Sequence, residues 1–280
     1  MLIKDSTYNK TLDTLRSMAE KGGAFPEIVR LYLEVLTMQV ETHVNTPCGQ
    51  REITNSQASA LLVQGTPLLS FADFSPDWYE VSRLFAKLSK WAEDSQDFES
   101  GKSGDRNIDS NRSTEIKELA RKWYENSPGF APAPPDSQDK LSPLVGTALK
   151  PFLVKCSRLL SPLVDSKIWR RSYCPVCGGK ADFAYLEKET GARFLVCARC
   201  DTEWLFLRLK CPYCGTQNQD KLGYFSIEGE PYRMYVCREC HTYIKTLDLR
   251  LTTDEVLIPL ERAVTLELDR KAIESGYKPG

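Results

Sequence analysis

The sequence contains no run of apolar residues long enough to cross a membrane. A membrane-spanning helix needs roughly 20 consecutive apolar residues, whereas the apolar residues, 41% of this 280-residue chain, are interrupted by polar ones throughout. The opening MLIKD turns polar at once, so the apolar core of a secretion signal is also missing. These two absences predict a cytoplasmic protein without membrane segments.

The sequence also lacks an excess of charge of one sign. Lys and Arg number 37 and Asp and Glu number 38, which gives a net charge of -1 at pH 7. A general nucleic-acid-binding protein needs a basic surface that contacts phosphates, so nucleic-acid binding is disfavoured and would have to be local. Such a local patch, which keeps this alternative open, could be formed by Lys167, Arg170, Arg171, Arg208 and Lys210.

Cysteine, in contrast, is abundant. Eight of the ten cysteines lie in four CxxC pairs, and the other two, Cys48 and Cys156, stand alone. Cys156 falls on an apolar helix face, where a buried side chain is expected. In a reducing cytoplasm this cysteine content indicates metal binding or redox chemistry rather than disulfides. The pairs are Cys174 and Cys177, Cys197 and Cys200, Cys211 and Cys214, and Cys237 and Cys240.

The spacing of the pairs predicts two four-cysteine metal sites. Nineteen residues lie between the first two pairs and 22 between the last two, which is enough for a hairpin that returns the second pair to the first. Gly178 and Gly215 follow the first and third pairs and relieve strain in a tight turn. Asp201 and His241 take the equivalent places after the other pairs. Four thiolates complete a tetrahedral shell that suits zinc or iron.

A closed four-thiolate shell predicts a structural metal, because it leaves no coordination position open to a substrate. We therefore expect two zinc ions per chain, with iron in a rubredoxin-like redox protein as the alternative. Thiol–disulfide exchange is disfavoured because the pairs lack the βαβ context of thioredoxin-like proteins. The sequence shows no other grouping typical of an active site, so we expect no enzyme and no catalytic residue.

The spacing of apolar residues in the regions that flank the cysteines predicts helices. The predicted helices cover residues 28–36, 75–91, 114–124, 145–163 and 259–275. Pro151 should kink or divide the fourth of them. A polar stretch at about 94–113 has too few apolar side chains to offset the entropy of ordering and predicts a flexible loop.

Short β-rich runs alternate with the CxxC pairs and predict two structural repeats. Leu207 and Leu209 hold the same places in the first repeat as Leu247 and Leu249 in the second, so we expect both final strands to bury the same side. The predicted fold is α+β and multidomain: an α-helical N-terminal domain, two rigidly docked tandem rubredoxin-like or zinc-ribbon modules, and a C-terminal helix. The predicted boundaries are 1–165, 166–210, 211–250 and 251–280.

The cysteine region resembles the FdhE family of formate dehydrogenase accessory proteins. The motifs that carry the resemblance are CPVCG, CxxCxTEW, a basic residue before the third pair, and CxxCxTYxK, and the likeness extends from residue 173 to about 277. The segment GTPLL, residues 65–69, adds a weaker likeness in the helical part. The resemblance also implies that all eight paired cysteines are metal ligands.

The same resemblance implies a cytoplasmic, non-catalytic assembly or maturation factor. Such a protein is needed to make active formate dehydrogenase, acts on its catalytic subunit and is not part of the finished enzyme. It also implies a helical domain joined to two rubredoxin-like or zinc-ribbon modules. The oligomeric state is left open.

Overall fold

The computed structural model describes residues 6–20, 27–44, 53–100, 111–126, 141–226, 229–253 and 255–280. The helices are α1 (Ser6–Glu20), α2 (Glu27–Val40), α3 (Asn55–Gln64), α4 (Trp78–Ser100), α5 (Asn111–Asn126), α6 (Leu141–Leu160), α7 (Ile258–Val264) and α8 (Leu266–Glu274). The strands are β1 (Ala181–Leu186), β2 (Arg193–Cys197), β3 (Glu203–Phe206), β4 (Leu222–Ser226), β5 (Tyr232–Cys237), β6 (Thr242–Asp248) and β7 (Lys278–Pro279). None of the described helices is long and apolar enough to cross a membrane.

Helix α6 packs at the centre of the helical part, against α2, α4 and α5. Pro151 lies inside α6 without dividing it, so the prediction of a division is wrong. Proline has no N–H to donate to the carbonyl of Thr147, one turn earlier. The side-chain amide of Gln39 donates to that carbonyl instead, at 2.8 Å. Helix α2 therefore supplies the hydrogen bond that the proline removes.

Helices occupy both ends of the stretch predicted as a polar loop. Helix α4 continues to Ser100 and α5 begins at Asn111, whereas residues 101–110 lie outside the described part of the chain. The structure thus departs from the predicted loop of 94–113 at each end. Extending a helix adds one hydrogen bond for each residue fixed, so a polar composition alone does not end α4.

The two ribbons form one continuous sheet. Its strand order is β3-β2-β1-β6-β5-β4, and β7 pairs with β6. Neighbouring strands within each ribbon are antiparallel, but β1 and β6 join the ribbons in parallel, with Phe183 opposite Lys245. This pairing joins the two ribbons directly, and their rigid docking stays a prediction.

The ends of the two ribbons differ more than the repeat predicts. Strand β3 ends at Phe206, and Leu207 and Leu209 beyond it are 50% and 61% exposed. Leu247 lies within β6 and is 2% exposed. The expectation that both final strands bury the same side is wrong, because the chain leaves the sheet after Phe206 to reach the third cysteine pair.

The helix predicted at 259–275 is present as two helices, α7 and α8, that meet at Thr265. The Thr265 hydroxyl donates to the carbonyl of Glu261 at 2.5 Å. Such a side-chain bond competes with regular helical geometry, and Thr265 adopts φ -100° and ψ 11°. The chain therefore changes direction there and α8 packs against β6.

One buried apolar cluster extends from the helices into the first ribbon. It includes Phe152 of α6, Trp169 and Trp204, together with the four cysteines of the first ribbon. Cys156 is fully buried in the same cluster, as predicted, but its sulfur is disulfide-bonded rather than a thiol. Cys48 lies outside the described residues. The helical part and the first ribbon thus share a core.

Candidate metal centres

The four cysteines of the first ribbon place their sulfurs within 4.8 Å of one another. The Sγ atom of Cys174 lies 3.6 Å from that of Cys200, and the Sγ atom of Cys177 lies 3.4 Å from that of Cys197. A tetrahedral zinc ion with Zn–S bonds of about 2.3 Å holds its sulfurs about 3.8 Å apart. The geometry therefore fits such an ion. We call these four cysteines the first group.

The second ribbon repeats this geometry. The Sγ atoms of Cys211 and Cys240 are 3.7 Å apart, as are those of Cys214 and Cys237, and all four lie within 4.8 Å of one another. We call these cysteines the second group. The structure brings together all eight cysteines in the two sets that the sequence predicts, while metal ligation itself stays a prediction.

The residue after each CxxC pair adopts a left-handed backbone conformation. Gly178 and Gly215 have φ angles of +71° and +78°, and Asp201 and His241 have φ angles of +56° and +53°. Glycine adopts this conformation without steric cost, whereas other residues do so at a cost of roughly 1–2 kcal/mol. All four turns therefore have the same shape, although two of them lack the glycine.

Backbone N–H groups point at sulfurs inside these turns. The N–H groups of Val176, Arg199 and Tyr213 each donate to the first cysteine of their pair at 3.4 Å. These donors stabilise a negatively charged sulfur. The turns thus favour the thiolate form that metal binding requires.

The last cysteine of each group is set apart by a threonine two residues later. The hydroxyl of Thr202 lies 3.0 Å from the sulfur of Cys200, and that of Thr242 lies 2.9 Å from the sulfur of Cys240. Burial alone would raise the pKa of both thiols, but hydrogen bonds from the threonine and from neighbouring cysteines outweigh it and lower the pKa. Each threonine hydroxyl thus supports the thiolate form of the cysteine two residues before it.

Asp201 ties the first group to the helices. Its carboxylate accepts hydrogen bonds from Lys150 of α6 and Arg262 of α7, both at 2.7 Å, and from the hydroxyl of Tyr8 of α1. Arg262 also pairs with Asp182 of β1 at 2.7 Å. Burial opposes the charge on Asp201, but the two cations prevail and lower its pKa to about 2. The sequence shows only an aspartate where the other repeat has histidine, and this network was not predicted.

The segment GTPLL packs directly on the first cysteine pair. The N–H groups of Leu68 and Leu69 donate to the carbonyls of Pro175 and Val176 at 2.9 and 2.8 Å. The hydroxyl of Tyr173 donates to the carbonyl of Gly65 at 2.7 Å. Sequence reasoning noted this segment only as part of the family resemblance and missed its contact with the cysteines.

The second group is less enclosed than the first. All four cysteines of the first group are buried, whereas Cys214 is exposed and Cys240 is half-buried. The contacts that anchor this ribbon to α8 lie on β6, where Asp269 of α8 pairs with Lys245 at 2.5 Å and accepts from Tyr243 at 2.8 Å. The same four-cysteine geometry thus occurs once in a core and once at a surface.

Comparison with known proteins shows which family the sequence around the first group resembles. Residues 173–208 match the model "FdhE, central domain". The resemblance to the FdhE family is confirmed. A protein named FdhE homolog from Aquifex aeolicus is 41% identical over 114 residues, which are 39% of this chain and 40% of that protein. Protein FdhE of Escherichia coli O1:K1 is 30% identical over 146 residues, 50% of this chain and 46% of that protein. These matches span less than half the length of the FdhE proteins.

The fold extends the likeness to the whole chain. The crystal structure of the FdhE protein from Pseudomonas aeruginosa superposes with a TM-score of 0.61 at 20% sequence identity. The superposition covers 99% of this chain and 95% of the Pseudomonas protein. The predicted fold class, helices followed by two ribbon-like modules, is therefore confirmed.

Proposed function

We propose that this protein is an accessory factor required for the formation of active formate dehydrogenase, and that it binds the catalytic subunit of that enzyme in the cytoplasm. The observation that carries the proposal is the 41% identity, over 114 residues, to a protein named FdhE homolog. The fold likeness to the FdhE protein from Pseudomonas aeruginosa, which covers 99% of this chain, supports it.

We further propose that the eight paired cysteines bind two zinc ions, one in each group, and that these ions stabilise the ribbons. Support comes from the sulfur spacing in both groups and from the burial of the first group, because a closed shell of four thiolates leaves no coordination position for a substrate. Tetrahedral thiolates also bind iron, which would make the ribbons redox centres. Elemental analysis and an absorption spectrum of protein purified without oxygen separate the two metals. Two zinc ions without visible bands are expected, and two iron ions with sulfur-to-iron bands would contradict the zinc proposal.

Capture of the catalytic subunit tests the accessory function. The tagged protein is incubated with the purified catalytic subunit of formate dehydrogenase from the same organism, with and without oxygen. A tagged protein of similar size and charge serves as the control bait. We expect retention by this protein alone, and absence of retention under both conditions would contradict the proposal.

A further inference from the structure

A pocket of about 250 Å³ lies beside the second group, on one face of β4, β5 and β6. Residues 208–210, in the segment that leads from β3 to the third cysteine pair, border it. Cys211 and Cys237 of the second group also line the pocket. Most of its remaining wall is apolar or aromatic, with contributions from Leu209, Tyr213, Leu222, Tyr224, Tyr235 and Ile244.

The charged side chains around the pocket all carry the same sign. Arg193, Arg208 and Lys210 line it, and none of the described residues that line it is an aspartate or glutamate. Apolar walls strengthen the attraction between a cation and an anion because they exclude water. The pocket therefore favours a negatively charged group attached to an apolar one.

Arg193 is the most buried of the three cations. Its side chain is buried, at 2% exposure, and it donates to the carbonyls of Leu207 and Lys210. The guanidinium also lies over the rings of Phe206 and Tyr235, 5.3 and 6.0 Å from their centroids. No acidic side chain lines the described part of the pocket to pair with it, and its Nε atom has no hydrogen-bond partner. The hydroxyl of Tyr235, in the same pocket, is also buried without a partner. A buried donor without a partner is unfavourable, and a bound carboxylate would supply the missing acceptor.

Strand β4 offers an open edge next to this pocket. It is the last strand of the sheet, and its outer edge pairs with no other strand of the described residues. Tyr224 and Phe225 of β4 are 53% and 56% exposed. Extended peptide segments bind to such edges through main-chain hydrogen bonds. A segment bound there would place alternate side chains beside Tyr224 and the pocket.

We propose that the pocket and the outer edge of β4 bind an extended, acidic segment of the formate dehydrogenase catalytic subunit. A carboxylate of the segment pairs with Arg193 and with the rim cations Arg208 and Lys210, and neighbouring apolar side chains contact Leu209 and Tyr224. This inference rests on the proposed function, because it names the surface through which the same partner is bound.

The second group provides a competing explanation for the cations. Four thiolates around a divalent ion carry a net charge of about -2, and two of them border the pocket. If the cations only balance this charge, removing them should release the metal. The partner would then bind through other surfaces of the protein. The two explanations therefore predict different measurements on the same variant.

The test compares two charge-reversal variants of the full-length, metal-loaded protein. The double variant R208E/K210E changes the pocket rim, and K167E reverses an exposed lysine that does not line the pocket. Affinity for the purified catalytic subunit is measured by surface-based binding, and metal content and circular dichroism are recorded for each variant. We expect R208E/K210E to raise the Kd at least tenfold, about 1.4 kcal/mol, and K167E to change it less than about twofold. All proteins should retain two metal ions.

Each other outcome overturns a defined statement. Unchanged affinity of R208E/K210E overturns the pocket proposal and leaves the accessory function standing, whereas absence of binding by the unaltered protein overturns both. Metal loss by R208E/K210E would mean that Arg208 and Lys210 balance the negative charge of the second group and do not bind the partner. A single-stranded RNA oligonucleotide is tested in parallel. Salt-dependent RNA binding that only R208E/K210E abolishes would replace the peptide by nucleic acid as the occupant.

Discussion

The two cysteine groups share one geometry and differ in burial and in the elements that contact them. The first group is fully buried, belongs to the main apolar core and is tied to α1, α6 and α7 through Asp201. The second group has an exposed cysteine, Cys214, and borders a cationic pocket. Motif spacing alone therefore defines how the thiolates are arranged, while the neighbouring elements decide whether the site stabilises the interior or faces a partner.

Two single variants, each lacking one cysteine ligand of one group, should show the largest difference in the free energy of unfolding. Cys197→Ser should cost on the order of 5 kcal/mol or more, because it disrupts a metal site inside the shared core. Cys214→Ser should cost about 1–3 kcal/mol and leave the helices folded. Thermal unfolding followed by circular dichroism, with metal analysis of both variants, measures this difference. Equal losses of stability in the two variants would show that both groups contribute equally to the stability of the fold.

Glycine placed after the last cysteine of each group should have opposite effects. Asp201→Gly removes the carboxylate from two cations and should destabilise the fold by about 3–5 kcal/mol. His241→Gly relieves an unfavourable φ angle at an exposed site and should be neutral or stabilising by up to about 1 kcal/mol. Denaturant unfolding of the metal-loaded proteins measures both. Similar effects at the two positions would argue that Asp201 has no anchoring role.

An ion pair within the second ribbon should contribute less to the free energy of unfolding than Asp201 does, and its contribution should depend on pH. The pKa of Asp248 is lowered by the hydrogen bond from Arg250 and by the charge of Arg233, which lies 2.7 Å away. Its charged form therefore stabilises the fold above its usual pKa of about 3.9, and this contribution disappears as the pH falls through the lowered value.

The corresponding measurement is urea unfolding of the unaltered protein and of Asp248→Asn at a series of pH values. We expect a difference of about 1–3 kcal/mol at neutral pH that narrows below about pH 4. Protonation of the cysteine groups affects both proteins alike, so the difference isolates Asp248. A constant difference over the whole range would contradict the assignment.

The last predicted effect is kinetic. Because Cys214 is exposed, a coloured chelator should remove metal from the second group at least tenfold faster than from the first group. This ratio corresponds to a difference of about 1.4 kcal/mol in activation free energy. Two phases of equal size are therefore expected. Cys214→Ser should lack the fast phase and retain the slow one. A single phase in the unaltered protein would indicate that both groups are equally accessible.

Local spacing made much of this molecule predictable. The CxxC pairs, the strands between them and the helices flanking them follow from short-range patterns, and all eight cysteines assemble as predicted. Contacts between distant residues were not predictable. Gln39 satisfies the carbonyl that Pro151 leaves free, and Arg262 reaches Asp201 from 61 residues away. No local pattern identifies such partners, because each side chain is ordinary in its own segment.

The distant contact of Arg262 has a consequence for how the protein is made. Arg262 donates to Asp201, to Asp182 and to the carbonyl of Cys197, so the surroundings of the first group include a residue synthesised well after its cysteines. At roughly 5–20 residues per second, the ribosome needs about 3–12 s to add the intervening residues. During this interval the first ribbon exists without the cation between its two aspartates. A newly made chain should therefore pass through a stage in which the cysteines are present but their final enclosure is not.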